Sequence, residues 1–180
     1  MLIDLEKSCL LVVDIQGKLL SVMEASGRVT ANTAILLKAA ARLGIPVLAS
    51  EQYPKGLGPT ADALGPLIPE GAVLEKTHFS CADVPEYRDR LGELGREQAV
   101  ITGIEAHVCV LQTALGLKRQ GYECFVVSDA VSSRTRENHA AAMDRLRGDG
   151  VGVVTTEMVL FEWLGRAGTP EFKELSALIK

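Results

Sequence analysis

Six short apolar runs interleaved with segments of helical period constrain this chain more than any other feature. The runs are Ser8–Val13, Pro46–Ala49, Ala72–Leu74, Ala99–Ile101, Tyr122–Val127 and Val151–Val154. Between and after them, Thr30–Leu43, Pro85–Leu94, Glu137–Arg147, Thr156–Trp163 and Pro170–Ile179 read as helices, and another begins near Cys109. A continuous apolar run such as SCLLVV suits a strand covered on both faces. Alternation of this kind implies βαβ units with right-handed crossovers and a parallel sheet. The expectation is an α/β protein: a three-layer, Rossmann-like fold around a six-stranded, mainly parallel sheet. At 180 residues it reads as one domain spanning 1–180, because the Pro/Gly-rich loop Ser50–Thr60 is too short to divide it.

Such a sheet dictates where chemistry sits, since ligands bind outside the carboxyl ends of its strands. Asp14 ends the first run, Glu51 and Gln52 follow the second, and Lys76 follows the third. Cys109 follows the fourth and Asp129 the fifth. The stretch Gln98–Thr113 is central: an apolar run, a Thr102-Gly103 turn, then Cys109 at the start of an amphipathic helix. Val108, Leu111 and Leu115 mark that helix's expected buried face. A helix N-terminus presents unpaired N–H groups and a positive dipole end, and both favour a thiolate. Taken singly, each residue has a plainer account. Cys109 packs as a small apolar side chain, Asp14 caps a segment, Lys76 is a solvated charge and Asp129 a turn residue. Together, a carboxylate, an ammonium and a thiol on one edge read as a nucleophile set. Asp14 would take the thiol proton, and Lys76 would hold the carboxylate and favour the thiolate.

Composition removes other classes. The net charge is −4, and no Lys/Arg-rich run gives an electrostatic footprint for nucleic acid. No apolar run reaches membrane-spanning length, and MLIDLEKSCLLVVDIQ lacks the basic start of a signal peptide. Cys9, Cys81, Cys109 and Cys124 show neither CxxC nor disulfide-scaffold spacing, which implies a reducing, cytoplasmic setting. His78, His107 and His139 lack ligand spacing, so no metal and no cofactor are expected.

Three pieces, LLVVDIQ with Asp14, LEKTHFS with Lys76 and ITGIEAHVCVLQTA with Cys109, resemble the isochorismatase-like cysteine hydrolases. SDAVSSR at Ser128–Arg134 matches a further recurrent segment, and the likeness runs from Ser8 to about Val154. That superfamily includes nicotinamidases, N-carbamoylsarcosine amidases and isochorismatases. SEQYPKGLG is similar to its branch of isochorismatase-domain proteins whose substrates are mostly unassigned. The resemblance implies Cys109 as nucleophile, Asp14 as general base and later acid, and Lys76 as the orienting charge. It implies a cis peptide at Ile104-Glu105 and an oxyanion hole from the N–H groups of Glu105 and Cys109. The expected reaction is hydrolysis of a small-molecule amide or related C–N carbonyl compound through a thioester.

Two departures shape that expectation. The stretch Glu51–Lys55 carries no His where nicotinamidases bind a metal, and Ala106-His107 stands where relatives often carry Thr with an acidic residue. Isochorismatase proper acts on a vinyl ether without needing a thiol, so a retained Cys109 points to acyl transfer. Vinyl-ether hydrolysis and a non-catalytic binding or scaffold role stay open as alternatives. Gln16, Tyr53, Phe79, Cys81 and His107 are the candidate substrate-lining residues. The resemblance also implies a homo-oligomer acting on a small-molecule partner, while charge and run length imply no nucleic acid and no membrane.

Overall fold

The computed structural model describes residues 1–180. Strand β1 (Ser8–Val13) is buried along its whole length, and its side chains divide between two cores. Leu10 and Val12 face one layer, while Cys9, Leu11 and Val13 face the other. The period-two geometry of a strand makes this division, and it is why a run of apolar residues belongs in the middle of three layers.

The elements follow as α1 (Gly17–Leu20), α2 (Ser26–Leu43), β2 (Val47–Gln52), α3 (Pro54–Leu57) and β3 (Val73–Lys76). Then come α4 (Pro85–Glu93), β4 (Gln98–Ile104), α5 (Leu111–Arg119), β5 (Glu123–Ser132), α6 (Arg136–Gly148), β6 (Gly152–Val154), α7 (Thr156–Leu164) and α8 (Pro170–Leu175). The six strands are all parallel, in the order β3-β2-β1-β4-β5-β6. Helices α2, α7 and α8 cover one face through Val29, Leu36, Leu37, Leu160, Trp163 and Leu175. Helices α4, α5 and α6 cover the other through Tyr87, Leu91, Leu117, Met143 and Leu146. No helix is long and apolar enough to cross a membrane.

The strand order turns at β1: the chain builds outward through β2 and β3, then returns to place β4 on β1's other side. The space beyond β1 and β4 is therefore the switch-point crevice where ligands gather in such sheets. Gly103 lets these two strands close there. It has φ 139°, and a Cβ on it would lie 2.2 Å from the Val13 carbonyl oxygen. No other residue fits that approach without moving β1, which carries Asp14 at its end.

Several boundaries differ from expectation. Strands β2 and β5 run on past their apolar runs to Gln52 and Ser132. Asp129 consequently lies inside β5, where its Oδ1 accepts from the N–H and hydroxyl of Thr156 at 2.8 and 2.9 Å. It fastens the start of α7. The helix after β4 begins with a π turn, Ala106–Val110, before α5. That wider turn centres the buried stripe on Val110, Leu111, Ala114 and Leu117, so Leu111 is buried as expected while Val108 and Leu115 are only partly buried.

Candidate active site

Asp14 follows β1 with φ 53°, a left-handed conformation uncommon outside glycine. Its N–H donates to the Ser50 carbonyl at 3.1 Å, tying the end of β1 to the end of β2. The side chain is fully buried, and both carboxylate oxygens are engaged. Lys76 Nζ reaches Oδ2 at 2.6 Å, and the Ser50 hydroxyl donates to Oδ1 at 2.7 Å. An ion pair with 1% and 0% side-chain exposure is costly to desolvate and holds only with good geometry and further hydrogen bonds.

Lys76 has those further bonds. Its ammonium donates to Gln52 Oε1 at 2.6 Å and to the carbonyls of His78 and Phe79 at 3.1 and 3.2 Å. Three ammonium protons thus face four acceptors, Asp14 included, and none is left over for a ligand. Gln52 donates onward to the Thr77 carbonyl at 2.9 Å. Ser50 is a site residue the sequence reading passed over, and Gln52 was placed at this edge without a role. Their signal was position: both sit at the carboxyl end of the strand beside Asp14.

Cys109 sits in the π turn and is 6% exposed. Single π turns inside helices are rare and recur at functional sites. The surroundings disfavour the expected thiolate. Burial first, and the neighbouring Asp14 carboxylate second, hold the thiol well above its ordinary value, while Lys76 pulls the other way without prevailing. The resting group is a thiol beside a carboxylate.

The peptide between Ile104 and Glu105 is cis. The Glu105 N–H donates to no backbone or side-chain acceptor, although the residue is only 8% exposed. Its carboxylate pairs bidentately with Arg134, Nε to Oε2 and Nη2 to Oε1, both at 3.0 Å. Such fork–fork pairs fix orientation as well as charge. Next to it, His107 Nδ1 lies 2.9 Å from the Ser133 hydroxyl. SDAVSSR at the end of β5 therefore braces the turn that carries Cys109.

The other candidate lining residues divide. Gln16 is fully buried, and its amide spans the Gln52 and Gly58 carbonyls and the Gln52 N–H at 3.1, 2.6 and 2.8 Å. It braces the loop after β2. Cys81 is likewise fully buried, its thiol on the Ser50 hydroxyl at 3.4 Å. Tyr53 and Phe79 are each 55% exposed. Tyr53 lines a cavity of about 380 Å³ with Lys55, Lys76, His78 and Val84, from which Cys109 is absent. His107 is half-buried. No group of His, Cys, Asp or Glu side chains has the convergence of a metal site.

The six-stranded parallel sheet with helices on both faces is an isochorismatase-like α/β fold. The isochorismatase domain family matches residues 8–158, and the chain belongs to that family. It is 43% identical over 146 residues to isochorismatase domain-containing protein 1 of Salmo salar, covering 81% of this chain and 51% of that protein. The chain thus spans about half the length of that relative. The MAR1 ribonuclease of Caenorhabditis elegans superposes with a TM-score of 0.93 at 36% identity, over 99% of this chain and 92% of that one. The YcaC product of Escherichia coli, an octameric hydrolase of unknown specificity, has the same TM-score of 0.93 over 99% and 90% of the two chains. At 22% identity its likeness is one of fold.

Proposed function

We propose that residues 1–180 form one hydrolase domain that cleaves a small-molecule amide or related C–N carbonyl substrate through a thioester on Cys109. The observation that carries this reading is the fully buried Asp14–Lys76 pair set against the Cys109 thiol. A buried charge pair is weak support for stability, so its retention beside a thiol favours a chemical role.

The resting protonation state sets the order of events. Because Cys109 is held as a thiol, Asp14 removes its proton as sulfur attacks the carbonyl carbon. The S–C bond forms, and the proton on Asp14 passes to the nitrogen as the C–N bond breaks. Water then attacks the thioester, giving its proton to Asp14, and that proton returns to sulfur as the S–C bond opens. Lys76, with every proton committed, keeps Asp14 charged and in place without touching the substrate. The unpartnered Glu105 N–H, with that of Cys109, supplies the oxyanion donors, and the Arg134 clamp steadies them.

The slight exposure of Cys109 favours a small substrate, and the octameric state of the E. coli neighbour supports a homo-oligomer. The ribonuclease name of the C. elegans protein supplies the competing activity, which the net charge of −4 does not favour. The test is intact-mass spectrometry during incubation with a panel of small amides, carbamoyl compounds, esters and a short RNA, on wild type and Cys109→Ala. A transient wild-type adduct, absent in the variant, supports the reading and names the acyl class. RNA cleavage that survives in Cys109→Ala, with no adduct from any acyl compound, overturns it.

A further inference from the structure

The mechanism above leaves three buried thiols without work, and the one beside the site, Cys81, has surroundings that point to a role. Cys81 lies in the short helical turn Cys81–Asp83, which α5 holds in place. Its N–H donates to the Thr113 hydroxyl at 3.0 Å, and Gly116 admits the turn so closely that a Cβ there would lie 2.6 Å from the Ala82 Cβ. The Cys81 thiol rests on the Ser50 hydroxyl, which rests on Asp14 Oδ1.

The direction of this chain is forced. An ionised carboxylate only accepts, so the Ser50 hydroxyl spends its single proton on Asp14 and must itself accept from Cys81. Cys81 is suited to that role: burial first holds it as a thiol, and the Asp14 charge adds to the effect against Lys76. We infer that Ser50, oriented by the Cys81 thiol, is a positioning residue for the proposed base. It holds Oδ1 of Asp14 in place as Lys76 holds Oδ2.

This inference rests on the hydrolase reading and adds a role to it. The groups facing Asp14 come from every element around it: Ser50 from β2, Lys76 from β3, Cys81 from the helical turn, Tyr87 from α4 and Cys109 from the π turn. Among them, Lys76 and Ser50 donate short hydrogen bonds to the carboxylate, at 2.6 and 2.7 Å. A donor to the charged form of a carboxylate makes it a stronger acid, so its loss moves proton uptake to higher pH.

The experiment acetylates Cys109 with p-nitrophenyl acetate and follows loss of the acetyl group by intact mass from pH 5 to 9. It compares wild type, Ser50→Ala, Ser50→Thr and Cys81→Ala. Ser50→Ala is expected to move the acid limb of deacetylation up by about one pH unit, roughly a tenfold loss of rate at the acid end, with the plateau largely kept. Ser50→Thr, which keeps the hydroxyl, restores the wild-type limb, and Cys81→Ala gives a smaller displacement of the same sign. Should Ser50→Ala fail to fold, Ser50→Cys carries the same comparison through its weaker donor. A limb that stays in place in Ser50→Ala, or a uniform loss that Ser50→Thr does not repair, overturns the inference and leaves Ser50 a packing residue. Wild type that takes no acetyl group on Cys109 overturns the hydrolase reading itself, and the inference with it.

Discussion

The two ends of the sheet each bury a pair of cysteines, and only one pair meets a carboxylate. At the amino ends of the strands, burial pushes Cys9 and Cys124 up to about 12. At the carboxyl ends, burial raises Cys81 and Cys109 as well. Neither burial nor a raised thiol therefore distinguishes a nucleophile in this molecule. The difference lies in what stands opposite. Cys9 and Cys124 face backbone carbonyls of Gln98 and Tyr122, whereas Cys109 faces the Asp14 carboxylate and Lys76. On the proposed hydrolase reading, a base able to accept the proton during attack selects the reacting thiol.

The sharpest way to break that contrast is to remove the selected sulfur. Cys109→Ala is expected to abolish acyl adducts altogether, with Cys9, Cys81 and Cys124 staying unmodified in peptide maps of the native protein. An adduct that simply moves to another cysteine would show that the charges select nothing. Next in size is Asp14→Asn, which keeps the side chain's shape and removes the proton acceptor. Loss of a general base slows turnover by about 10²–10⁴-fold, measured as the rate of acetyl loss from Cys109.

Lys76→Met separates the ends by stability. It leaves Asp14 buried without its partner, which costs about 3–5 kcal/mol when a buried pair is broken. Urea unfolding at neutral pH measures this, and the loss should shrink at low pH, where the carboxyl group is neutral. Cys9→Ala at the other end is expected to cost about 1 kcal/mol for the small volume removed and to leave acyl turnover unchanged.

The smallest effect is a slope. Cys9 and Cys124 stay protonated in the native state to about pH 12, against an ordinary 9.0. The native state therefore binds more protons than the unfolded chain across that window, and stability falls as pH rises through it. Urea midpoints at pH 8 and pH 10 should show the decline, and Cys9→Ala with Cys124→Ala should flatten it.

Much of this arrangement was legible in the sequence because parallel sheets are written in apolar runs. SCLLVV could only be a strand buried on both faces, and strand ends then gathered Asp14, Lys76 and Cys109 on one edge. Polar ends of strands were not legible: Ser50, Gln52 and Asp129 carry no apolar signal, yet backbone pairing extends β2 and β5 through them. The π turn also escaped, because nothing in AHVCV breaks a 3.6-residue period, and with it went the true buried face of α5. The surroundings that hold Cys109 as a thiol were not legible either. A helix start and a nearby lysine are visible in sequence, whereas burial and the approach of Asp14 exist only in the folded chain. Arg134 lay in a segment already singled out, but its bidentate hold on Glu105 needed β5 and the turn after β4 side by side.

The measurement that bears most directly on the account follows a single acetyl group placed on the native protein by p-nitrophenyl acetate, in wild type and Asp14→Asn. Peptide mapping locates the group, and intact mass follows its loss. The account predicts acetylation at Cys109 alone, prompt loss in wild type and a long-lived adduct in Asp14→Asn. Acetyl groups shared among the four buried cysteines, or loss from Cys109 at the same rate in both proteins, would contradict it.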